Sequence, residues 1–482
     1  MFNFKPIALV SGTVICTVGF FLFIPLITEL IYKTDYWESY AVPILLYLIV
    51  GGSLIITNKN IDFKISSKEA YIMTILSWLL TTILCSVPFV YTETDLSIVD
   101  ALFESMSGIT TTGATTLNNL DNLPKGILIW RSFLQWLGGI GIVIIAFVIL
   151  PFLKIGGMQL FHLEGDDPYE KSLPKASSVI KKIFSIYLAL TFILIALYYI
   201  FGMSFFDSIA HSFSTISTGG FSTHDQSFNF FQSDMILFVA IIFMIVGSLP
   251  FLLIAQTTLK NLFVVFRDHQ VRVFIYILIT AIIIIFYFAN VYIDGSIFHK
   301  LITVSFNTIS IISGTGYTSE NFENWGNYAS VLFLILMFIG GCAGSTTGGL
   351  KIFRFQILFK YIKIHLKKMI KPHEVMVSNF NNKKIPETTY ESVMSFFFIY
   401  IFTFALSALL LSFSGLDFMT CISAAASTIS NVGPGLGVYI GPNGNYEMLT
   451  SYSKIILIFT MFLGRLELLT ILILLMPSFW RD

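Results

Sequence analysis

Ten apolar stretches divide this 482-residue chain, and each is near the ~20 residues that a helix needs to cross a bilayer. With 55% hydrophobic and only 12% charged residues, the composition excludes a soluble globular protein. We therefore expect an all-α polytopic membrane protein. The stretches are 7–31, 39–57, 69–91, 127–153, 177–201, 234–258, 272–293, 328–360, 390–413 and 453–476.

Four further apolar segments are too short to span a bilayer and are better interpreted as re-entrant half-helices. Each leads directly into a run of small polar residues that contains glycine. The segments are 97–109, 204–216, 299–312 and 416–429. The runs are "SGITTTGATT" (107–116), "STISTGGFST" (214–223), "SGTGYT" (313–318) and "STISNVGPG" (427–435).

The four runs share one register when they are aligned on Gly113, Gly220, Gly316 and Gly433. A serine lies six residues before each glycine, an isoleucine four before, and serine or threonine three before. Recurrence of helix, half-helix, glycine loop and helix in a fixed order indicates internal repeats. We expect a two-helix extension at 1–68 and repeats at 69–160, 161–262, 263–384 (with a broken second helix) and 385–482.

Charge asymmetry predicts the orientation, since cytoplasmic loops of membrane proteins are rich in lysine and arginine. The segments between repeats carry the bases, and the flanks of the glycine runs carry the acids. The bases are Lys171, Lys175, Lys181, Lys182, Lys260, Arg267, Arg272, Lys351, Arg354, Lys360, Lys363, Lys367, Lys368, Lys371, Lys383 and Lys384. The acids are Asp95, Asp100, Asp121, Asp225, Glu320, Glu323, Asp417 and Glu447. The glycine runs should face outside, with both termini in the cytoplasm.

A cation that crosses a membrane must exchange its water for protein oxygens, and four equivalent loops of backbone carbonyls can supply them. Glycine reaches the backbone conformations that such a loop needs. We therefore interpret each run as one quarter of a filter. The alternative is that the runs are helix-packing sites or plain loops. The predicted filter residues are Thr111, Thr112, Gly113, Thr218, Gly219, Gly220, Thr315, Gly316, Asn431, Val432 and Gly433.

The stretch 328–360 is interrupted by "GGCAGSTTGGLK" at 340–351. It lacks the G-x-x-x-x-G-K-[ST] order of a nucleotide-binding P-loop. Non-helical backbone is tolerated at membrane depth where it lines a cavity, so a flexible gating loop is expected here. Close helix packing at GxxxG spacing is the alternative. The predicted gating residues are Gly340, Gly341, Gly344, Ser345, Thr346, Thr347, Gly348 and Gly349.

Arg465 lies near the middle of the last apolar stretch, where a charge is costly and usually functional. Glu467 follows two residues later, so a helix would point the two side chains to different faces. We expect Arg465 to be a gating residue that presents a positive barrier to the pore. A structural ion pair with a carboxylate of another helix is the alternative.

These features together resemble the Trk/Ktr/HKT superfamily of potassium transporters. The resemblance rests on "TTTGAT", "STGGFSTHD", "GTGYTS", "SNVGPGLG" and "GGCAGSTTGGLK", and it extends over essentially the whole chain. The additional helix pair at 7–57 is similar to the membrane subunits of Trk systems rather than those of Ktr systems.

The resemblance implies potassium uptake across the bacterial inner membrane, through one filter glycine per repeat, an intramembrane gating loop and a pore-guarding Arg465. It also implies a homodimer with a cytoplasmic TrkA-like regulatory subunit. A nucleotide, either ATP/ADP or NAD, is expected only on that subunit. K⁺ is the only ion expected on this chain, lipid is its environment, and no nucleic-acid partner or covalently bound cofactor is expected.

The alternative from another class is a proton- or sodium-coupled carrier of potassium or another small cation, built on the same repeats. A carrier needs intramembrane carboxylates for coupling, and the sequence offers very few besides Glu467. An enzyme is not expected, because no nucleophile, base and orienting group can be assembled from the motifs.

Overall fold

The computed structural model describes residues 4–59, 66–92, 96–148, 172–256, 265–373, 379–380 and 383–481. These residues are helical apart from connecting loops and a small hairpin of Asn379–Phe380 with Lys383–Lys384, which confirms the all-α class. The predicted boundaries between repeats 1 and 2 (160/161) and between repeats 2 and 3 (262/263) lie outside the described residues. So do Asp95, Lys171 and Lys260, and the side chains of Lys175, Lys383 and Lys384.

An N-terminal group of helices precedes four units that each contain an entry helix, a half-helix and an exit helix. The N-terminal helices are Phe4–Phe21, Phe23–Tyr32 and Glu38–Thr57. Entry helices 1 to 4 are Ser67–Tyr91, Ser172–Ile200, His269–Ala289 and Glu387–Ser412. Half-helices 1 to 4 are Ile98–Ile109, Phe205–Ile216, Ile297–Ile312 and Phe418–Ser430. Exit helices 1 to 4 are Lys125–Val148, Asp234–Gly247, Asn327–Met337 and Ser451–Arg465. After the last three, the chain continues as Phe251–Gln256, Ile352–Ile370, and Leu469–Leu472 with Pro477–Arg481.

Seven helices of the described residues are long and apolar enough to cross a membrane, or eight if one bent pair is a single span. This count is lower than the ten predicted spans because, among the described residues, three exit helices are interrupted. The sequence indicated a break only in the third of them. Exit helix 2 stops at Gly247, where Pro250 disfavours helical backbone at the residue before it. Exit helix 4 bends by 104° beyond Arg465, where Glu467 adopts a left-handed φ of 59°.

The half-helices lie where the apolar segments predicted them, and each begins with a capping side chain. Ser97, Ser204, Ser296 and Asp417 accept hydrogen bonds from backbone N–H groups in the first turn. Such caps satisfy donors that the helix itself leaves unpaired. The isoleucine four residues before each filter glycine ends half-helices 1 to 3 and lies one residue before the end of half-helix 4. All four isoleucines are buried.

The four units close into a ring. Each half-helix packs between the entry and exit helices of its own unit. Exit helix 1 also packs on half-helix 2, exit helix 2 on half-helix 3, exit helix 3 on half-helix 4, and exit helix 4 on half-helix 1. This cyclic order brings the four glycine runs, each attached to the end of a half-helix, to one place in the molecule.

The helices Phe4–Phe21 and Glu38–Thr57 cross where Gly12 lies against Gly51. A Cβ atom on Gly51 would meet Cys16 Sγ and the Gly12 carbonyl oxygen at 2.6 and 2.7 Å. A Cβ atom on Gly52, the next residue, would meet nothing within 4 Å. Close approach of two helices at small residues is a common way of packing in membranes.

We predict that Gly51→Leu lowers the stability of the protein by roughly 1–3 kcal/mol, because the added side chain overpacks the helix crossing. Gly52→Leu is the matched control and should leave stability unchanged. Thermal unfolding of the purified variants in detergent, followed by size-exclusion chromatography, measures both. Equal melting temperatures for the two variants would contradict the close crossing.

Candidate functional site

The four glycine loops adopt the same unusual backbone conformation. Each filter glycine has a positive φ: 82° at Gly113, 85° at Gly220, 79° at Gly316 and 106° at Gly433. The residue two positions earlier is also left-handed, with φ of 52° at Thr111, 51° at Thr218, 68° at Gly314 and 54° at Asn431. A β-branched threonine in this region is rare and costly, so the surrounding structure must impose the conformation.

Each filter glycine lies against a carbonyl of the next loop, and the four contacts close a ring. A Cβ atom on any of the four would approach a neighbouring backbone oxygen more closely than the 3.0 Å that real Cβ atoms keep. The pairs are Gly113 with the Gly219 oxygen, Gly220 with Thr315, Gly316 with Val432, and Gly433 with Thr112. Each oxygen belongs to the residue just before the next filter glycine. All eleven predicted filter residues lie in these loops.

Side chains behind the loops hold them in place, and sequence reasoning missed two of them, Gln135 and Tyr446. Gln135 of exit helix 1 donates from Nε2 to the Gly219 carbonyl and accepts from the Phe221 N–H through Oε1. The Tyr446 hydroxyl donates to the Gly433 carbonyl over 2.8 Å. Asn431 donates from Nδ2 to Thr112 Oγ1, which joins loop 4 to loop 1. Neither Gln135 nor Tyr446 lies near a glycine run in the sequence, so no local signal could identify either.

The interrupting segment 340–349 lies directly against two of the glycine loops. The Thr346 and Thr218 hydroxyls are 3.1 Å apart, and a Cβ atom on Gly348 would collide with the Ser430 carbonyl oxygen. Its backbone is paired with the break in exit helix 2: Cys342 N–H donates to the Ser248 carbonyl, and Thr346 N–H to the Gly247 carbonyl. The two helix interruptions therefore satisfy each other's polar groups, which membrane-depth backbone requires.

A small cavity of about 30 Å³ adjoins this segment, and its lining includes Gly348, Lys351, Arg354, Arg465 and Glu467. The cavity therefore places three basic side chains and one carboxylate beside the segment.

Arg465 is buried beside the segment and donates from Nη1 to the Thr346 carbonyl over 3.0 Å. Its Nη2 lies 3.5 Å from the Gly138 carbonyl oxygen. Within the part of the chain that the structure describes, no carboxylate forms a salt bridge with Arg465. Glu467 instead pairs with Arg354.

Two bases of the predicted cytoplasmic linker belong to this site instead. Lys351 donates from Nζ to the Thr347 carbonyl, and Arg354 is buried against Glu467. The linker assignment is therefore corrected for these two residues. Lysine and arginine counts could not separate them from the exposed bases, because burial at this point depends on the break in exit helix 3.

His224 connects the chain segments that follow the first and second glycine runs. Its Nδ1 contacts Asp121, its Nε2 lies 3.5 Å from Asp207 Oδ1, and its ring stacks on Phe230 at 3.5 Å. Burial acts to lower the pKa of His224, but hydrogen bonds and charge from Asp207 and Asp121 outweigh it and raise the pKa. The charged form of His224 is therefore favoured at this contact.

Comparisons with known proteins agree with this architecture. The model of the TrkH family, described as "Cation transport protein", matches residues 41–481. The chain is 37% identical to the Trk system potassium uptake protein TrkI of Halomonas elongata, covering 100% of this chain and 98% of that protein. It is 36% identical to the Trk system potassium uptake protein TrkH of Escherichia coli, with full coverage of both.

The crystal structure of the potassium transporter TrkH from Vibrio parahaemolyticus superposes with a TM-score of 0.91, at 32% identity and with both chains fully covered. The resemblance inferred from the motifs is thus confirmed along the whole chain. A transporter rather than an enzyme follows from the family. The chain belongs to the TrkH family of cation transport proteins.

Proposed function

We propose that this protein takes up potassium across the bacterial inner membrane through a channel-like pore whose filter is formed by the four glycine loops. The observation that carries the proposal is the closed ring in which each filter glycine abuts the carbonyl of the next loop. A ring of backbone oxygens from four equivalent loops can replace the water around a potassium ion. The relatives named as potassium uptake proteins support the choice of ion.

The half-helices add an electrostatic contribution. Each runs into its glycine loop, so its C-terminal end is directed at the ring. That end carries a partial negative charge of about half an elementary charge, which favours a cation there. Four such ends surround the ring, and they attract cations without placing a carboxylate in it.

We assign the gate to the segment 340–349 and to Arg465. The segment lies against loops 2 and 4, and Arg465 holds the Thr346 carbonyl. A fixed positive charge at ~7 Å from a passing cation, with an effective dielectric constant of about 20, would cost roughly 2 kcal/mol. Opening then requires this segment to leave its place beneath the ring.

A basic helix after the interrupting segment is a candidate docking site for a regulatory subunit. The helix Ile352–Ile370 carries exposed lysines along its second half, among them Lys363, Lys367 and Lys368. We assign this helix as a docking element for a cytoplasmic TrkA-like subunit that carries the nucleotide. A homodimer with cytoplasmic termini is part of the same proposal.

Flux into liposomes tests this function. Purified protein should move potassium under a potassium gradient alone, with no proton or sodium gradient. A strict requirement for a second ion gradient would instead favour a coupled carrier.

In this assay, we predict that Gly113→Ser lowers the ratio of potassium to sodium permeability by roughly tenfold, the equivalent of ~1.4 kcal/mol. The serine side chain would displace the Gly219 carbonyl and is strained at a φ of 82°. Gly141→Ser is the matched control, because a Cβ atom on Gly141 meets nothing within 4 Å. A folded Gly113→Ser with the wild-type ratio would refute the filter.

Arg465→Ala should raise potassium flux, by up to roughly tenfold if the whole repulsion contributes to the barrier. Arg465→Lys keeps the charge and should behave close to wild type. Solubilised yield and liposome flux are measured for both variants. An Arg465→Ala protein that is poorly folded and inactive would show that the residue is structural.

For docking, we predict that Lys367→Gln/Lys368→Gln reduces co-purification of the TrkA-like subunit while yield and thermal stability stay unchanged. Both lysines are exposed, so their loss removes charge without disturbing packing. Lys181→Gln/Lys182→Gln is the matched control, since it removes an adjacent, exposed pair from another linker. Full retention of the subunit would leave the bases with a role in topology only.

A further inference from the structure

In three of the four half-helices, a polar side chain at the same aligned position forms a hydrogen bond with a residue that follows the filter glycine. Nine residues before the glycine, the side chains are Glu104, His211 and Asn307 in repeats 1 to 3. Glu104 accepts from Thr116 N–H, His211 Nε2 lies 3.0 Å from Ser222 Oγ, and Asn307 Nδ2 donates to Ser319 Oγ. In repeat 4 this position is Ala424, and the preceding Ser423 bonds both N–H and carbonyl of Leu436.

Repeat 1 differs from the others because the half-helix side chain that makes this contact, Glu104, belongs to a charge pair. Glu104 Oε2 lies 3.3 Å from Arg131 Nε, and the two side chains are 0% and 1% exposed. Glu104 also accepts from Thr115 Oγ1 and from Leu117 N–H, so it fixes three consecutive residues beyond Gly113.

Arg131 carries the connection to the neighbouring loop. Its Nη1 donates to the Ser222 carbonyl over 3.1 Å, and its Nη2 donates to Thr115 Oγ1 over 3.0 Å. Its guanidinium also lies over the Phe221 ring, 4.2 Å from the centroid. Gln135, one helical turn further along exit helix 1, holds Gly219 and Phe221. Arg131 and Gln135 therefore lie on one face of exit helix 1. Together they bind the residues on either side of Gly220 in the chain.

Stability alone does not account for the pair, because desolvating two charges commonly offsets their attraction, and apolar replacements of similar volume are often equally stable. The planar guanidinium provides several donors in a fixed geometry, which suits it to setting the distance between two chain segments. The segments it connects belong to loops 1 and 2, where Gly113 abuts the Gly219 carbonyl.

We propose that Glu104 and Arg131 are positioning residues whose ion pair fixes the spacing of filter loops 1 and 2 and thereby sets discrimination between potassium and sodium. Sodium is smaller and needs closer oxygens, so loops that cannot approach one another compensate its dehydration poorly. This inference rests on the proposed filter. Neither residue touches the ion; both act through the backbone of the loops.

The test compares ion selectivity with folding. Glu104→Gln keeps the shape of the side chain but removes the carboxylate that is hydrogen-bonded to Arg131. We expect the ratio of potassium to sodium permeability in liposomes to fall by roughly tenfold, a loss that one charge-assisted hydrogen bond can supply. Glu104→Asp retains the charge and should recover part of the ratio. A merely structural role would lower yield and the flux of both ions alike, and would leave the ratio unchanged.

Two further variants keep the test decisive. Glu104→Gln/Arg131→Gln leaves no lone buried charge, so it provides folded protein if the single variant is unstable, and its ratio should also be low. Glu29→Gln removes a buried carboxylate that accepts from Gly126 N–H, away from the glycine loops, and should keep the wild-type ratio.

Gly113→Ser in the same assay separates the two proposals. If Gly113→Ser changes the ratio and the folded Glu104 variants do not, the positioning role is overturned while the filter stands. If neither changes the ratio, the filter itself is wrong. Wild-type selectivity in the double variant would by itself overturn the role of the ion pair.

Discussion

The contact between each filter glycine and the carbonyl of the next loop is the constraint on which the rest of this structure depends. The contact allows no Cβ atom, so glycine is required at Gly113, Gly220, Gly316 and Gly433. It also requires four chain segments to meet at one place, and the cyclic packing of exit helices on half-helices brings them there. The repeat architecture is therefore the means by which one chain closes a ring that separate chains form in tetrameric channels.

Irregular backbone inside a membrane must be paired or solvated, and the interrupted exit helices meet that requirement together. The break after Gly247 and the segment 340–349 exchange backbone hydrogen bonds, and Arg465 and Lys351 bind the carbonyls of Thr346 and Thr347. A segment stabilised by side-chain cations can exchange these partners more readily than a continuous helix. Such a segment is suited to the gating role that we propose for it.

Two buried ion pairs lie where segments of the site meet. Glu104 with Arg131 lies beyond the ring, and Arg354 with Glu467 lies beside the interrupting segment. The Arg354–Glu467 pair joins the third and fourth units, and Arg131 of the other pair also donates to the Ser222 carbonyl of the second unit. Their placement indicates that these charges fix geometry at a junction, since burying them costs desolvation energy that apolar packing would avoid.

The sequence alone determined the membrane class, the four half-helices and the four glycines that adopt a left-handed backbone, because apolar length and left-handed backbone are local requirements that local residues reveal. It could not determine the breaks in exit helices 2 and 4, which it placed within continuous spans. It also missed Gln135, Arg131 and the pairing of Arg354 with Glu467. These features depend on partners from other repeats, and only the closed ring of helices decides which partners meet.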